Sequence, residues 1–357
     1  MSEQTALPAV AAHGAQRLPS VHVDSYNLEI KDNQGFIGDR ASKGAFREMI
    51  GNIRKSVREA GDDPLGDEES DELTKADLDN LLTRGKPEEA GIVQSAIEDF
   101  SQEFANVIRR FTKQKEWKDT ERIAIGGGFR GSRVGELVIG RTGVLLKADG
   151  IETDLQPIHN DPDEAGLIGA VHLAPSWVFH AFDAVLAVDI GGTNIRAGVV
   201  QLNLKKSKTL EKAKVSKFSL WRHGDEEDIK RDSAIERLGE MLEGLIAAAK
   251  KKRMKLAPFI GIGCPGLIEH DGSIDRGAQN LPGNWESSKF NLPASIHEMI
   301  PQIGDHETSI VMHNDAVVQG LSELPYMKDV ERWGILTIGT GLGNARFSNR
   351  TSEADDD

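Results

Sequence analysis

Between residues 92 and 111, apolar side chains return every three or four positions: Ile92, Ala96, Ile97, Phe100, Phe104, Val107, Ile108 and Phe111. That period predicts a long amphipathic helix with one buried stripe. Upstream, TKADLDNLLTRG opens on Thr74 as N-cap and stops at Gly85, which predicts a shorter helix. Farther along, the pattern changes. RIAIGG is a short apolar run into glycines and reads as a buried strand, and DEAGLIGAVHLA as a helix of small residues. AVLAVDIGG, NIRAGVVQLN and KVSKFSLWR follow as strands on short turns. Next comes DSAIERLGEMLEGLIAAAKKKRMK, an amphipathic helix whose lysine-rich end suits the helix dipole and is read as a solvated terminus. FIGIGCPG and TSIVMHND are two more buried strands, AVVQGLSELP is a helix, and RWGILTIGTGLGNARFS closes as a pair of strands. Sheet alternating with helix in both halves predicts an α/β protein. The acidic stretch REAGDDPLGDEESDELT reads as a solvated loop between helices.

Composition narrows the partners. A net charge of −14 argues against nucleic acid, because phosphate binding needs clustered Lys and Arg. No apolar run approaches ~20 residues and no signal peptide is visible, so no membrane partner is expected. The single cysteine, Cys264, makes neither an intramolecular disulfide nor a thiolate-rich zinc site, which fits a reducing, cytoplasmic setting.

The chemistry concentrates at glycine turns. In DIGGTN, Gly191 and Gly192 let the backbone approach an anion, Thr193 adds a hydroxyl, and Asn194 ends the turn. Asp189, at its entry, is placed to act through Mg²⁺ or a bridging water. TIGTGLGNA repeats the device with Gly339, Thr340 and Gly341, and IAIGGG offers Gly126, Gly127 and Gly128 as bare backbone against a flat ring. Neither GxxxxGK[ST] nor a strand-linked GxGxxG is present, which disfavours P-loop and Rossmann readings. HNDA sets Asn314 and Asp315 where a strand meets a helix, and Asp315 suits either a general base or a helix N-cap.

Together these segments resemble the ROK (repressor, open reading frame, kinase) sugar kinases of the actin–hexokinase–Hsp70 superfamily. VDIGGTNIRAG looks like the first phosphate motif in its glucokinase-like form. GIGCPGLIEHDGSIDRGAQNLPGNW is similar to the sugar-binding segment, HNDAVVQGLSE to the catalytic segment and TIGTGLGNA to the second phosphate motif. ADLDNLLTRGKPEEAGIVQSAIEDF, RIAIGGG and DEAGLIGA resemble the family's closing third. The resemblance implies a two-lobed actin-like, ribonuclease H-like fold with a central cleft. It implies ATP and Mg²⁺ as cofactors, Asp315 as the base that takes the acceptor's hydroxyl proton, and Asn280, Gly283, Asn314 and Gly266 as sugar-binding positions. A homodimer is a further expectation.

Family members open on DIGGT and finish on GLIGA, whereas here the closing third comes first. The order implies a circular permutation with APSWVFHAF joining old end to old beginning. The expected divisions are a flexible N-terminus over 1–20, a larger lobe over 21–180 and 308–348, a smaller lobe over 181–307, and a flexible acidic tail over 349–357.

Two family segments are altered. HGAQRLPSV puts Gly14 and Arg17 where the sugar-gripping Glu and His stand, and QGFIGDRASKGAF replaces the cysteine cluster, so no structural zinc is expected. The expected function is ATP-dependent phosphoryl transfer to a sugar or sugar-like hydroxyl. The alternative is a non-catalytic relative with a degenerate sugar pocket. A repressor would need a helix-turn-helix module, for which no segment remains.

Overall fold

The computed structural model describes residues 12–350 apart from 129 and 208. In chain order the main elements are β1 (Val21–Tyr26), α1 (Lys43–Ala60), α2 (Lys75–Arg84), α3 (Pro87–Thr112), β2 (Arg122–Gly127), α4 (Arg133–Ala148), β3 (Asp154–Pro157) and α5 (Pro162–Ala170). Then follow β4 (Ala184–Ile190), β5 (Ile195–Gln201), β6 (Lys214–Trp221), α6 (Arg231–Lys251), β7 (Leu256–Cys264), α7 (Leu292–Met299), β8 (Ser309–Asn314), α8 (Asp315–Leu321), β9 (Arg332–Ile338) and β10 (Leu342–Asn349). Helix and strand alternate as the apolar pattern predicts, and the chain is an α/β protein.

Local signals explain many boundaries. Thr74 caps α2 by accepting from the Asp77 N–H, while Asp77 returns a bond to the Thr74 N–H, and Gly85 ends the helix. Pro87 begins α3, where its missing N–H costs nothing. The whole predicted stripe of α3 is buried, with Phe100, Phe104, Ile108 and Phe111 fully enclosed. Those residues meet Phe46 and Ile50 of α1 and Val134 and Val138 of α4 in one apolar cluster.

Two five-stranded sheets organise the molecule. The first runs β8-β7-β4-β5-β6. Its β4, β5 and β6 form an antiparallel meander, while β7 and β8 add on the far side of β4, parallel to it. The second runs β1-β10-β9-β2-β3, with β9, β2 and β3 parallel. Numbered in chain order, the first sheet reads 3-2-1-4-5. The second reads the same only if its count starts at β9, passes to β10, and resumes at β1.

The chain forms two compact units, one of residues 1–27, 163–329 and 347–357 and the other of 28–162 and 330–346. This differs from the divisions expected from motif order. β8 pairs along its whole length with β7, from Ser309 against Phe259 to Asn314 against Cys264. That ladder places the HNDA segment in the same unit as DIGGTN. Residues 12–20 also depart from a flexible N-terminus: the Gly14 N–H donates to Met312 O (3.0 Å), Leu18 is buried, and Arg17 bridges His22. Residues 1–11 and 351–357 lie outside the described residues. Among those described, no helix is long and apolar enough to cross a membrane.

Candidate active site

In the first unit the functional side chains gather where parallel strands β4, β7 and β8 end. Open α/β sheets bind ligands at such carboxyl ends. Asp189 of β4 pairs with Gly263 of β7, which pairs in turn with His313 of β8. Gly263 is the small residue between two acids: a Cβ there would stand 3.5 Å from the Asp315 Cα and 3.2 Å from the Val318 Cβ.

Asn314, not Asp315, caps α8. Its Oδ1 accepts from the Ala316 and Val317 N–H groups (3.0 and 3.3 Å), and its Nδ2 donates to Gly266 O (3.0 Å). The amide expected to face a sugar therefore ties the helix start to the Gly266 turn, where φ is +103°. Asp315 occupies the first helical position, and its carboxyl takes bonds from the Ala316 N–H and the Asn314 side chain. Burial pushes that carboxyl up to about 7, and the nearby Asp189 charge pushes in the same direction. Asp189 is itself raised by burial, which the Arg196 guanidinium opposes. Cys264, free and buried between the two acids, has its thiol pushed well up, first by burial and then by their charges.

Arg196 and Asp163 form the part of this site that the motif reading missed. Arg196 lies opposite Asp189 in the β4–β5 register, with Nη1 3.3 Å from Asp189 Oδ2. Its Nε and Nη2 donate to Asp163 Oδ1 (3.0 and 2.6 Å). A four-residue turn at 191–194 makes positions 189 and 196 cross-strand partners, so DIGGTNIR held a readable signal. Asp163 came from α5, distant in sequence, and had none. Helix α5 lies flat against the acid: a Cβ on Gly166 would fall 2.4 Å from the Asp189 Cγ.

The DIGGTN turn is closed by the Gly191 N–H donating to Asn194 O (2.8 Å). Behind it, His223 Nε2 sits 2.9 Å from Gly191 O and the Gly224 N–H donates to Thr193 O (3.0 Å). Asn280 stands beside it, its Cβ 3.3 Å from where a Gly192 Cβ would be. Its exposed loop is anchored by buried Trp285, whose Nε1 donates to Pro282 O (2.8 Å). Gly283 approaches the start of α6, with its Cβ position 2.8 Å from Arg231 N. The Asp189 carboxylate suits a hard dication held through water, with the remaining ligands drawn from water and phosphate. Among the described residues no group of three or more His, Cys, Asp or Glu converges to form an all-protein metal cage.

The second unit brings the other two glycine segments together on neighbouring strands. Thr337 and Ile338 of β9 pair with Gly126 and Gly127 of β2. The Gly339–Gly341 turn is closed by the Gly339 N–H donating to Gly341 O (2.9 Å), exposing Thr340 and Gly341, and a Cβ on Gly341 would meet nothing within 4 Å. Packing explains Gly127 and Gly128 instead: their Cβ positions lie 2.2 Å from Ile338 O and 2.0 Å from Lys43 Cε. Lys43, unremarked in the sequence, opens α1 and donates its backbone N–H to Gly339 O (3.0 Å). It sets a cation beside the second turn.

Position 14, where the resemblance leads us to expect the counterpart of the sugar-gripping Glu, is closed to any side chain. Gly14 has φ +59°, and a Cβ there would lie 2.0 Å from Ile268 O.

Residues 185–352, from DIGGTN through the second glycine turn, match the ROK family model. Over this stretch the chain is similar to the ROK family. The glucokinase of Thermotoga maritima is 29% identical over 161 residues, covering 44% of this chain and 43% of that one. The chain thus spans less than half the length of the curated relative it matches. Among solved structures, the ROK hexokinase of Thermus thermophilus is 20% identical over 45% of each chain with a TM-score of 0.31. The Lmo2764 protein of Listeria monocytogenes is 24% identical over 46% of this chain and 47% of its own, with a TM-score of 0.33. The ROK match takes in every first-unit position discussed above from Asp189 onward, together with the second turn.

Proposed function

We propose that the protein transfers a phosphoryl group from ATP to a hydroxyl of a sugar or sugar-like acceptor, with Asp315 as general base. The observation that carries this reading is the placement of Asp315 and Asp189 at the carboxyl ends of parallel strands β8 and β4, on either side of β7, both raised by burial, within a stretch that matches the ROK family model. A carboxyl near neutrality is poised to accept a hydroxyl proton and release it again. Arg196 and Gly166 position Asp189, and Asn314 positions Asp315. Asp189 would hold Mg²⁺ through water, and the dication when bound neutralises charge on the phosphates. The glycine turns at 191–192 and 339–341 offer bare backbone to phosphate oxygens, and Asn280 offers an amide to the acceptor. A reaction of this kind is mostly positioning and electrostatics, which suits a site built from backbone and two acids.

The rotated motif order belongs to the same reading. A single ancestral 3-2-1-4-5 pattern, cut after the second glycine turn and rejoined through residues 175–183, accounts for the second sheet's count starting at β9.

One observation favours a second reading, a non-catalytic relative: the closed position at Gly14 removes a family contact to the sugar. A coupled ADP-release assay over hexoses, amino sugars and polyols separates the two. Turnover with any acceptor, lost in Asp315→Asn with nucleotide binding retained, supports the kinase. Tight nucleotide binding with no transfer across the panel overturns it.

A further inference from the structure

Net charge conceals how the cations are placed. Two lysine-rich segments, far apart in sequence, meet at one edge of the first sheet, opposite the strand ends that carry Asp189 and Asp315. One is the run KKKRMK at 250–255, which ends α6 and leads into β7; the other is the β5–β6 connection and the start of β6, with Lys205, Lys206, Lys212, Lys214 and Lys217. The register aligns Leu256, Ala184, Gln201 and Lys214 across four adjacent strands, about 15 Å in all. Backbone bonds lock the corner, with the Asp183 N–H donating to Lys255 O (2.8 Å) and the Leu202 N–H to Asp183 O (3.0 Å).

The acids at this edge are already engaged. The Asp183 carboxylate accepts from the Lys255 N–H (2.9 Å), and Glu211 pairs with Lys328. Lysines 205, 206, 214, 217, 250, 251 and 252 are exposed. A few cations at a helix end answer its dipole, and lysines on an outer strand such as β6 guard it against pairing. Neither need explains why both sets converge on one edge of an acidic chain.

A second observation points to the partner. Trp177 is 53% exposed, in the short turns that lead into β4 at this corner, where Lys255 Nζ lies 5.2 Å from the Phe182 ring centroid. Compact ammonium groups with an exposed Trp match the charged headgroups and interfacial depth of an anionic bilayer. Readout of base edges would favour the forked guanidinium of Arg, and this edge carries a single Arg.

We propose that this edge docks the protein peripherally on anionic lipid membranes. The expectation of no membrane partner rests on the lack of a spanning segment and of a signal peptide, which does not bear on peripheral docking.

The test is co-sedimentation of the full chain with vesicles of phosphatidylcholine alone or of equal parts phosphatidylcholine and phosphatidylserine, at low and high salt, with duplex DNA as competitor. Retention on the serine lipid only, weakened by salt, is expected. Each lysine near an anionic surface is worth about fivefold in affinity, so the combined Lys205→Gln, Lys206→Gln, Lys251→Gln and Lys252→Gln variant loses at least tenfold. Trp177→Ala loses several-fold, and both keep the parent's thermal midpoint. Equal retention on both vesicles, indifference to the lysine changes, or preference for DNA over the serine lipid overturns the proposal.

Discussion

Asp315 sits in a setting that costs stability and confers reactivity. Its carboxyl is held near 7 by burial and then by Asp189, against an ordinary value near 4. The unfolded chain releases that proton from about pH 4 upward, whereas the folded chain keeps it until about 7. Folding is therefore penalised progressively as pH rises through that window, by roughly 2–4 kcal/mol once both states are ionised. Asp315→Asn removes the charge. It should leave the fold more stable than the parent at pH 8, with the gain vanishing near pH 4, as thermal melts at the two pH values would read. The same variant should lose about 10²–10⁴-fold in turnover, the usual worth of a positioned base. Because the base must be ionised, kcat/KM should fall on the acid side with a midpoint near pH 7, measurable in a pH–rate profile. Part of this was readable: HNDA announced an acid at a strand–helix junction. Of the two roles the motif offered, the structure gives the N-cap to Asn314, and the role of base is the one proposed for Asp315.

At the scale of elements, the acidic stretch between α1 and α2 shows what periodicity misses. It carries enough charge to read as solvated, yet Arg54 of α1 is 2% exposed beneath it. Its guanidinium donates to Asp63 Oδ2 (2.8 Å), Ser70 Oγ (3.0 Å) and Gly66 O (3.1 Å). Arg54→Ala should destabilise the chain by about 2–3 kcal/mol, since it removes buried charge-assisted bonds while Asp63 keeps Arg58 and the Leu65 N–H as partners, and denaturant melts would show it. A surface arginine such as Arg276 should change stability by less than about 1 kcal/mol. Helices α2 and α3 were legible because caps and a buried stripe are local features. Arg54 was not, since nothing local distinguishes an arginine that folds inward from one that points to water.

For the whole molecule, the motif order raised a rotation, and the proposal of one also accounts for the second sheet's count starting at β9. The Arg350 N–H donates to Ser20 O (3.1 Å) and its guanidinium to Leu18 O (3.1 Å) and Pro19 O (2.9 Å), so the two extremities of the described chain are neighbours. A chain re-cut within 180–183, with residue 350 joined to residue 12 by a short Gly/Ser linker, should keep the parent's circular dichroism and melt within a few degrees of it. Loss of a cooperative melt would count against a rotated ancestral order. If ATP with Mg²⁺ binds only the folded chain, a hundredfold excess over Kd should add about 2.7 kcal/mol to its stability. Thermal-shift titration reads that increment directly.

The sequence alone determined the local features: which runs become helix or strand, where caps and glycine turns fall, and which acids sit at strand ends. These follow from short-range sterics, hydrogen bonding and apolar period, all written within a few residues of one another. Only the tertiary structure decided the pairings across distance. It brought Arg196 and Asp163 to Asp189, gave the α8 cap to Asn314, closed Gly14 against Ile268, and gathered two lysine segments on one edge. Such neighbours are set by sheet register and side-chain packing, and a one-dimensional order does not contain them.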